Sequence, residues 1–427
     1  MIRIHPFPAE IPPAEHAARV ASVPYDVVST QEARELAEGN EASFLHVVRP
    51  EIDLAEGVDP YCDAVYGRAA SNLEAFRQQG LLNADEAPGI YLYKLTWRGR
   101  AQIGVVCCCE VGQYREGLIK RHEFTRPDKE NDRVRHLVET GTHAEGVILT
   151  FHDATSIDEL MAEDMTSPPL FEFTADDGVE HALWRASDPE AYVSAFASLG
   201  ALYIADGHHR SAAAERAPRT ELRTTGDGSM SLETLEQDLD HDGNEEFNRF
   251  MAVCFPASQL EILPYNRVVQ DRAGLTTEAF LERLAEVGTV EPVTDPVPEE
   301  RGEVRVHVDG SWYRLRFDPN RIDRSDPVGS LDCALLQDLV LDPILGIADP
   351  RTDQRIAFVG GIRGTEEIER RAGAEGIGFS MHPTSMGELL DVADAGLIMP
   401  PKSTWFEPKL RSGLFVHRFT GSRSCAS

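Results

Sequence analysis

The chain has 427 residues and a formal net charge of −31, from 72 acidic against 41 basic residues. This charge argues against a nucleic-acid or anionic-membrane partner, because affinity for polyanions depends on Lys and Arg side chains that neutralise phosphates. No apolar run approaches the roughly 20 residues of a membrane span, and Met1–Pro6 shows no apolar signal segment. We therefore expect a cytoplasmic protein of two or three domains with a small-molecule partner; the sequence leaves the oligomeric state open.

The N-terminal region alternates polar turns with short apolar runs. Pro24–Val28 is followed by a capping box that begins at Ser29 and predicts a short helix. Ser43–Glu51 comes next, and its apolar residues predict that His46 and Arg49 lie near the end of a strand.

A hairpin, Ile90–Trp97 with Ala101–Val111, leads into a segment rich in charge. Pro127 suits the first turn of the helix that follows, so the charged residues lie in the preceding loop and in that turn. The candidates to bind a phosphate or its donor are Lys120, Arg121, His122, Thr125, Arg126 and Lys129. Glu123 is a candidate base for an attacking hydroxyl, and the alternative interpretation is a solvated charged loop.

The most informative stretch, Tyr203–Arg216, reads as a strand, a polar turn and a helix. Apolar residues through Ala205 suit a buried strand, and the later alanines favour a helix. Backbone N–H groups and the positive end of the helix dipole favour an anion where the helix begins. The polar residues gathered there are Asp206, Gly207, His208, His209 and Arg210.

Asp206 stands beside these cationic groups as a lone carboxylate, which makes it a candidate metal ligand or base. His208 and His209 are candidate catalytic groups, while Gly207 permits the tight turn and Arg210 is a candidate phosphate ligand. The alternative interpretation is a helix cap with two surface histidines.

The C-terminal half carries a second candidate phosphate segment. Residues 217–246 are acidic and poor in large apolar groups, which predicts a surface insertion. Phe250–Phe255 predicts a strand and Gly302–Phe317 a hairpin. Met399–Leu414 contains three prolines and predicts a stiff loop. Its candidates to close over a phosphate are Lys402, Ser403 and Thr404.

These elements predict an α+β fold of mixed sheets with flanking helices. We expect residues 1–216 to form a core region that carries both charged motifs, and residues 217–246 to form the acidic insertion. Residues 247–427 are expected to form a C-terminal α/β region that contributes to the same cleft.

Seven motifs in order resemble the family called domain of unknown function 1015, over nearly the whole chain. They are Pro24–Val27, Ser43–Glu51, Lys120–Glu130, Ala205–Arg210, Leu263–Arg267, Phe358–Gly364 and Met399–Phe406. The segment Asp206–Arg210 is similar to the nucleotide-binding box of the ParB and sulfiredoxin superfamily, so the resemblance implies a core of that kind. Free serine kinases of that superfamily carry a similar box together with an upstream glutamate, which Glu123 matches.

The resemblance implies phosphorylation of the hydroxyl of L-serine, with Mg²⁺ and a donor that is ATP, ADP or pyrophosphate. The charged residues independently predict phosphoryl transfer, in which a protein mainly positions groups and neutralises charge. Glu123 or Asp206 would orient the hydroxyl, and the other would help to hold Mg²⁺. The alternatives are a phosphoserine phosphatase-type hydrolase and a non-catalytic ParB-like nucleotide-binding protein.

Overall fold

A computed structural model describes residues 1–225, 230–234 and 245–419. Its contacts divide the chain into two compact units, each built from separated segments. The first unit comprises Met1–Lys120, Phe124–Gln259 and Pro408–Ser427, and the second comprises Arg121–Glu123 and Leu260–Glu407. None of the helices within the described ranges combines the length and apolarity needed to cross a bilayer.

The strands follow in chain order. They are β1 (Ile4–His5), β2 (Ala9–Ile11), β3 (Asn83–Ala84), β4 (Tyr91–Trp97), β5 (Arg100–Glu110), β6 (Ile119–Lys120), β7 (Thr142–His143), β8 (Val147–Phe151), β9 (Phe171–Thr174), β10 (Glu180–Arg185), β11 (Leu202–Asp206), β12 (Thr220–Thr224), β13 (Met230–Thr234), β14 (Arg249–Pro256), β15 (Ile262–Leu263), β16 (Tyr265–Val269), β17 (Gly288–Val293), β18 (Glu303–Val308), β19 (Ser311–Phe317), β20 (Ile356–Gly360), β21 (Ile377–Met381), β22 (Trp405–Phe406) and β23 (Val416–Arg418).

The α-helices alternate with these strands. They are α1 (Ala14–Val20), α2 (Thr30–Ala37), α3 (Leu45–Val48), α4 (Asp63–Gln78), α5 (Val111–Arg115), α6 (Pro127–Thr140), α7 (Thr155–Asp164), α8 (Pro189–Phe196), α9 (His208–Arg216), α10 (Thr277–Ala285), α11 (Asp332–Leu336), α12 (Glu366–Ala372) and α13 (Met386–Asp394).

A nine-stranded mixed sheet organises the first unit. Its order is β6-β11-β8-β14-β5-β4-β10-β9, and β1 pairs with β5. β11 runs parallel to β6 and antiparallel to β8, while β14 runs parallel to β8. Buried apolar side chains such as Leu149, Ile204 and Cys254 form the core on this sheet. The sheet therefore fixes the end of β11, where the Asp206 turn begins.

The second unit contains a six-stranded sheet in the order β17-β19-β18-β21-β16-β20, and neighbouring strands are antiparallel throughout. Both faces of β18 and β21 are buried. β15 and β22 form a separate two-stranded pair in the same unit.

Most of the predicted elements are present, and the α+β class with mixed sheets and flanking helices is confirmed. The Ser29 capping box opens α2, and Pro127 occupies the first turn of α6. The prediction that His46 and Arg49 lie near a strand end is wrong, because His46 lies in α3 and Arg49 follows it. The division at residues 216 and 246 stays a prediction, and residues 226–229 and 235–244 of the proposed insertion lie outside the described residues.

Candidate active site

The turn between β11 and α9 forms the centre of the candidate site. Leu202 to Ala205 are buried, Asp206 ends the strand, and Gly207 adopts φ 101° and ψ 30° before α9 begins at His208. A Cβ at Gly207 would lie 3.2 Å from Nε of Arg210. Glycine is therefore favoured here for two reasons: the backbone is left-handed, and a side chain would crowd Arg210. The guanidinium of Arg210 therefore lies directly under the turn.

Two cations hold Asp206, one on each carboxylate oxygen. Lys409 Nζ lies 3.1 Å from Oδ1, and Arg210 donates to Oδ2 over 2.7 Å. Arg210 also donates to the carbonyl of Gly146, which ties the first turn of α9 to the start of β8. Burial alone would raise the pKa of Asp206, but Lys409 and Arg210 reverse this and hold the pKa well below its usual range.

The two histidines of the turn have different surroundings. His208 is buried, and its charge contributes to the low pKa of Asp206. His209 is half-buried, and its Nε2 accepts a hydrogen bond of 3.0 Å from the backbone N–H of Arg126. In this arrangement Nε2 of His209 is unprotonated, and the contact ties the start of α6 to the start of α9.

A second loop of the first unit, Pro24–Val27, is fixed by three charged side chains from separate parts of the chain. Glu145 accepts from the backbone N–H of Tyr25 (3.1 Å), and Arg49 donates to its carbonyl (3.4 Å). The guanidinium carbon of Arg133 lies 3.8 Å from the centre of the Tyr25 ring. The backbone N–H, the carbonyl and the ring of Tyr25 are therefore each held by a charged side chain.

Glu145 connects this loop to the Asp206 turn. It accepts from the hydroxyl of Ser412 over 2.9 Å and lies 3.7 Å from Arg133. Burial raises the pKa of Glu145, and the charges of Arg210 and Arg133 offset this only in part. Arg133 is paired in turn with Asp132 at 2.7 Å. Ion pairs thus join Asp132, Arg133 and Glu145, and the charge of Glu145 acts in turn on Arg210, which pairs with Asp206.

The remaining predicted residues of the first unit make local contacts. Lys120 Nζ lies 5.7 Å from the centre of the Tyr203 ring, on the strand next to β11. Thr125 donates to Glu130 over 2.9 Å, and Lys129 donates to the hydroxyl of Tyr61 over 2.7 Å. Their predicted roles toward a phosphate stay predictions.

The other predicted residues belong to the second unit. Arg121, His122 and Glu123 form its short separate segment. Nε2 of His122 lies 3.4 Å from Oγ1 of Thr404, and Lys402 Nζ lies 5.5 Å from the centre of the Tyr265 ring. The hydroxyl of Ser403 donates to the carbonyl of Pro400 over 2.7 Å, inside its own loop. The predicted roles of Arg121, His122, Glu123 and of Lys402–Thr404 also stay predictions.

Sequence reasoning did not assign four residues that the network uses: Tyr25, Arg133, Glu145 and Lys409. They lie as far as 203 positions from Asp206, so no local pattern connects them to the turn. Two signals were present in the sequence. Lysine is rare in this chain, with Lys409 one of only five, and Tyr25 belongs to the first motif of the family resemblance.

A family model described as "Protein of unknown function (DUF1015)" matches residues 4–334. The match spans more than half of the chain, and the protein therefore belongs to this family, as the order of its motifs predicted. A comparison with curated proteins gave no match.

Several solved structures are similar to this chain at low identity. SbnI with a C-terminal truncation from Staphylococcus aureus is 10% identical with a TM-score of 0.36, covering 71% of this chain and 82% of that one. A conserved hypothetical protein from Pyrococcus furiosus is 12% identical with a TM-score of 0.33, covering 72% and 93%. A free serine kinase in complex with AMP is 13% identical with a TM-score of 0.31, covering 70% and 86%. Likenesses at this level carry no information about what this chain binds.

Proposed function

We propose that this protein transfers a phosphoryl group from a nucleotide or pyrophosphate to the hydroxyl of a small metabolite, with free L-serine as the leading acceptor. The observation that carries the proposal is the Asp206 turn, where a carboxylate clamped by Lys409 and Arg210 stands at the N-terminus of α9. The similarity of Asp206–Arg210 to the serine-kinase box supports the choice of acceptor.

The chemistry of the turn suits a phosphate. Backbone N–H groups at the start of α9 and the helix dipole favour an anion, and Lys409 is a point charge that can exchange partners. A phosphate that binds Lys409 weakens the contact between Nζ and Oδ1 of Asp206. In this proposal the donor therefore releases one oxygen of Asp206 for a cation.

The two candidate carboxylates receive different roles. Because Lys409 and Arg210 hold the pKa of Asp206 far below neutrality, Asp206 is a poor proton acceptor. We assign the role of cation ligand to Asp206, and the role of base for Glu123 stays a prediction of the family resemblance. His209 would orient the start of α6 through its contact with Arg126, and His208 would add positive charge near the phosphate.

The donor groups of the first unit fit Mg²⁺. This ion takes oxygen ligands and is commonly held by one or two carboxylates together with the phosphates of the substrate. Asp206 presents a carboxylate that stays ionised, which is the state a ligand requires. The ion would neutralise charge on the transferring phosphate, while the chain positions both substrates.

The proposal is tested by phosphorus NMR of the purified protein with Mg²⁺ and L-serine, offered ATP, ADP or pyrophosphate in separate samples. A phosphoserine resonance with one donor establishes the kinase and names the donor. A parallel sample contains phosphoserine alone. Release of inorganic phosphate there, with no phosphoserine formed from any donor, would replace the proposal with a phosphatase.

A further inference from the structure

The second unit contains a buried arginine that has no counter-charge. Five arginines of the described residues are buried, and four of them pair with a carboxylate: Arg133, Arg135, Arg305 and Arg411. The fifth, Arg267 on β16, is only 4% exposed and forms no such pair with any residue that the structure describes. A buried charge without a partner is strongly destabilising, so folding alone does not favour an arginine at this position.

The partners of Arg267 are neutral groups. Its guanidinium donates to the backbone carbonyls of Tyr265 and of Lys402, the latter over 3.1 Å, and lies 5.6 Å from the centre of the Phe358 ring. The neighbouring thiol of Cys333 supplies no counter-charge, because burial raises its pKa and keeps it protonated at neutral pH. The positive charge of Arg267 therefore stays uncompensated within the described part of the second unit.

Arg267 holds the carbonyl of a residue whose backbone is strained. Lys402 adopts φ 60°, in the left-handed region that favours glycine. Three other described residues that are not glycine have positive φ, and each precedes a left-handed glycine in a tight turn: Arg98, Ala273 and Asp309. Lys402 precedes Ser403, so no such turn accounts for its conformation. Backbone strain persists where the surrounding contacts impose it, and it is concentrated at ligand-binding sites.

The side chain of Lys402 adds a second positive charge. It is exposed, its Nζ lies 5.5 Å from the centre of the buried Tyr265 ring, and it forms no ion pair within the described ranges. Arg267 and Lys402 thus both contact Tyr265, one at the carbonyl and the other at the ring, and neither is paired with a carboxylate. In a chain of net charge −31, two neighbouring cations without an anion favour an anionic ligand.

The charge of the two cations selects the class of anion. A phosphate group carries about −1.5 to −2 near pH 7, which matches two positive charges. A single carboxylate carries one negative charge and would leave one cation uncompensated. An ammonium group is also a common phosphate ligand, because it is a compact charge with several donors.

We infer that Lys402 binds a phosphate group within the second unit, at a site whose second positive charge is that of Arg267. The inference rests on the proposed function for the identity of the phosphate compound. It does not rest on that function for the binding itself, because Arg267, Tyr265 and Lys402 all belong to the second unit and their arrangement is independent of any transfer.

The test is isothermal titration calorimetry of the full-length protein with inorganic phosphate, at about 0.15 M salt, where the screening length is about 8 Å. Lys402→Met removes the ammonium and keeps a similar volume. Lys94→Met, on β4 of the first unit, removes the same charge and is the matched control. Acetate is titrated in parallel as an anion of single charge. Circular dichroism checks that both variants are folded.

We expect the wild type and Lys94→Met to give the same isotherm, and Lys402→Met to bind one phosphate about tenfold more weakly or worse, because a charged contact is lost. The same isotherm in all three proteins, or no saturable phosphate binding by the wild type, would overturn the inference. Acetate bound as tightly as phosphate, and with the same dependence on Lys402, would overturn the choice of phosphate.

A further variant, Lys402→Gly, separates binding of a ligand from a structural role. Glycine adopts φ 60° without strain, so Lys402→Gly should unfold at a higher urea concentration than Lys402→Met, while both variants bind phosphate equally weakly. The opposite order of stability would contradict the strained backbone on which the inference depends.

Phosphate binding needs no turnover, so the two proposals fail separately. A wild type that forms no phosphoserine but binds phosphate through Lys402 would retain this site and reject the kinase. A wild type that forms phosphoserine, with a Lys402→Met variant of unchanged phosphate affinity, would retain the kinase and reject the role of Lys402.

Discussion

At the scale of single residues, Lys409 shows the largest difference between sequence and structure, because the sequence assigned it no role and the structure places it on Asp206. The sequence directed attention to Lys402, Ser403 and Thr404, but the lysine that contacts Asp206 is Lys409. A local pattern cannot find such a contact, because the sheet brings together residues 203 positions apart. The Asp206 turn itself was predictable, since a strand, a glycine and an alanine-rich helix follow one another directly.

Replacing Lys409 with Met should abolish most of the transfer activity. The side chain keeps a similar volume and loses the charge that would bind the phosphate, so we expect kcat/KM to fall by about 100-fold or more. Steady-state kinetics with the active donor measures the effect. Lys94→Met, on β4, is the matched control and should keep wild-type kinetics. A Lys409→Met variant as active as that control would remove Lys409 from the site.

Gly207 tests the geometry of the turn without any assay of activity. A side chain there meets a backbone of φ 101° and the guanidinium of Arg210, so Gly207→Ala should destabilise the protein by about 1–3 kcal/mol. Urea unfolding measures the difference. Gly67→Ala, in the interior of α4 with open space around it, should instead stabilise by about 0.5–1 kcal/mol. A Gly207→Ala variant as stable as the wild type, or stabilised like Gly67→Ala, would contradict the conformation of the turn.

At the scale of elements, propensity and pattern identified most helices and strands but failed where packing decided. The run from Leu45 to Val48 contains two valines and its apolar pattern predicts part of a strand, yet it forms the short helix α3. Phe44, Leu45 and Val47 are buried there in a small core with Phe76 of α4. Burial against a neighbouring helix outweighed the β preference of valine.

The helix α6 should make stability depend on pH through His136. This buried side chain donates Nε2–H to the carbonyl of Val47, and burial lowers its pKa from 6.5 to about 4. Between these pH values the unfolded chain binds a proton that the folded protein excludes, so the free energy of unfolding falls as the pH falls. The shift corresponds to about 3 kcal/mol, lost between about pH 6.5 and pH 4.

Thermal or urea unfolding across this pH range measures that contribution. His136→Gln keeps a donor for Val47 and removes the titrating group, so its stability should decline less steeply with falling pH than that of the wild type. Identical slopes for the two proteins would show that His136 does not contribute.

At the scale of the whole molecule, net charge distinguishes the proposed kinase from the alternative of a non-catalytic ParB-like protein that binds DNA. With a net charge of −31 the protein should show no measurable affinity for duplex DNA, even at low salt where electrostatic binding is strongest. Fluorescence anisotropy with a labelled duplex at about 50 mM salt tests this, since affinity for phosphates rises steeply as salt falls. Saturable binding there would favour the nucleotide-binding alternative over the kinase.

The family and the α+β class were both predictable from the sequence, because motifs and element types are local properties. The composition of each compact unit was not. Residues 121–123 belong to the second unit although the residues on either side of them belong to the first. The segment that begins at Pro408 returns to the first unit directly after a long segment of the second. Only long-range packing determines to which unit such a segment belongs. The candidate site follows the same rule: the turn is local, whereas the network that holds it is assembled from distant segments.

The most direct test of the central claim compares wild type with Asp206→Asn by phosphorus NMR, in Mg²⁺ and L-serine with each donor in turn. The substitution removes the charge that Lys409 and Arg210 hold and keeps the shape of the side chain, and urea unfolding verifies that the variant is folded. The account predicts phosphoserine from the wild type with one donor and a rate lower by about 100-fold or more in the variant. Phosphoserine formed equally fast by both proteins would contradict the claim that the Asp206 turn is the site of transfer.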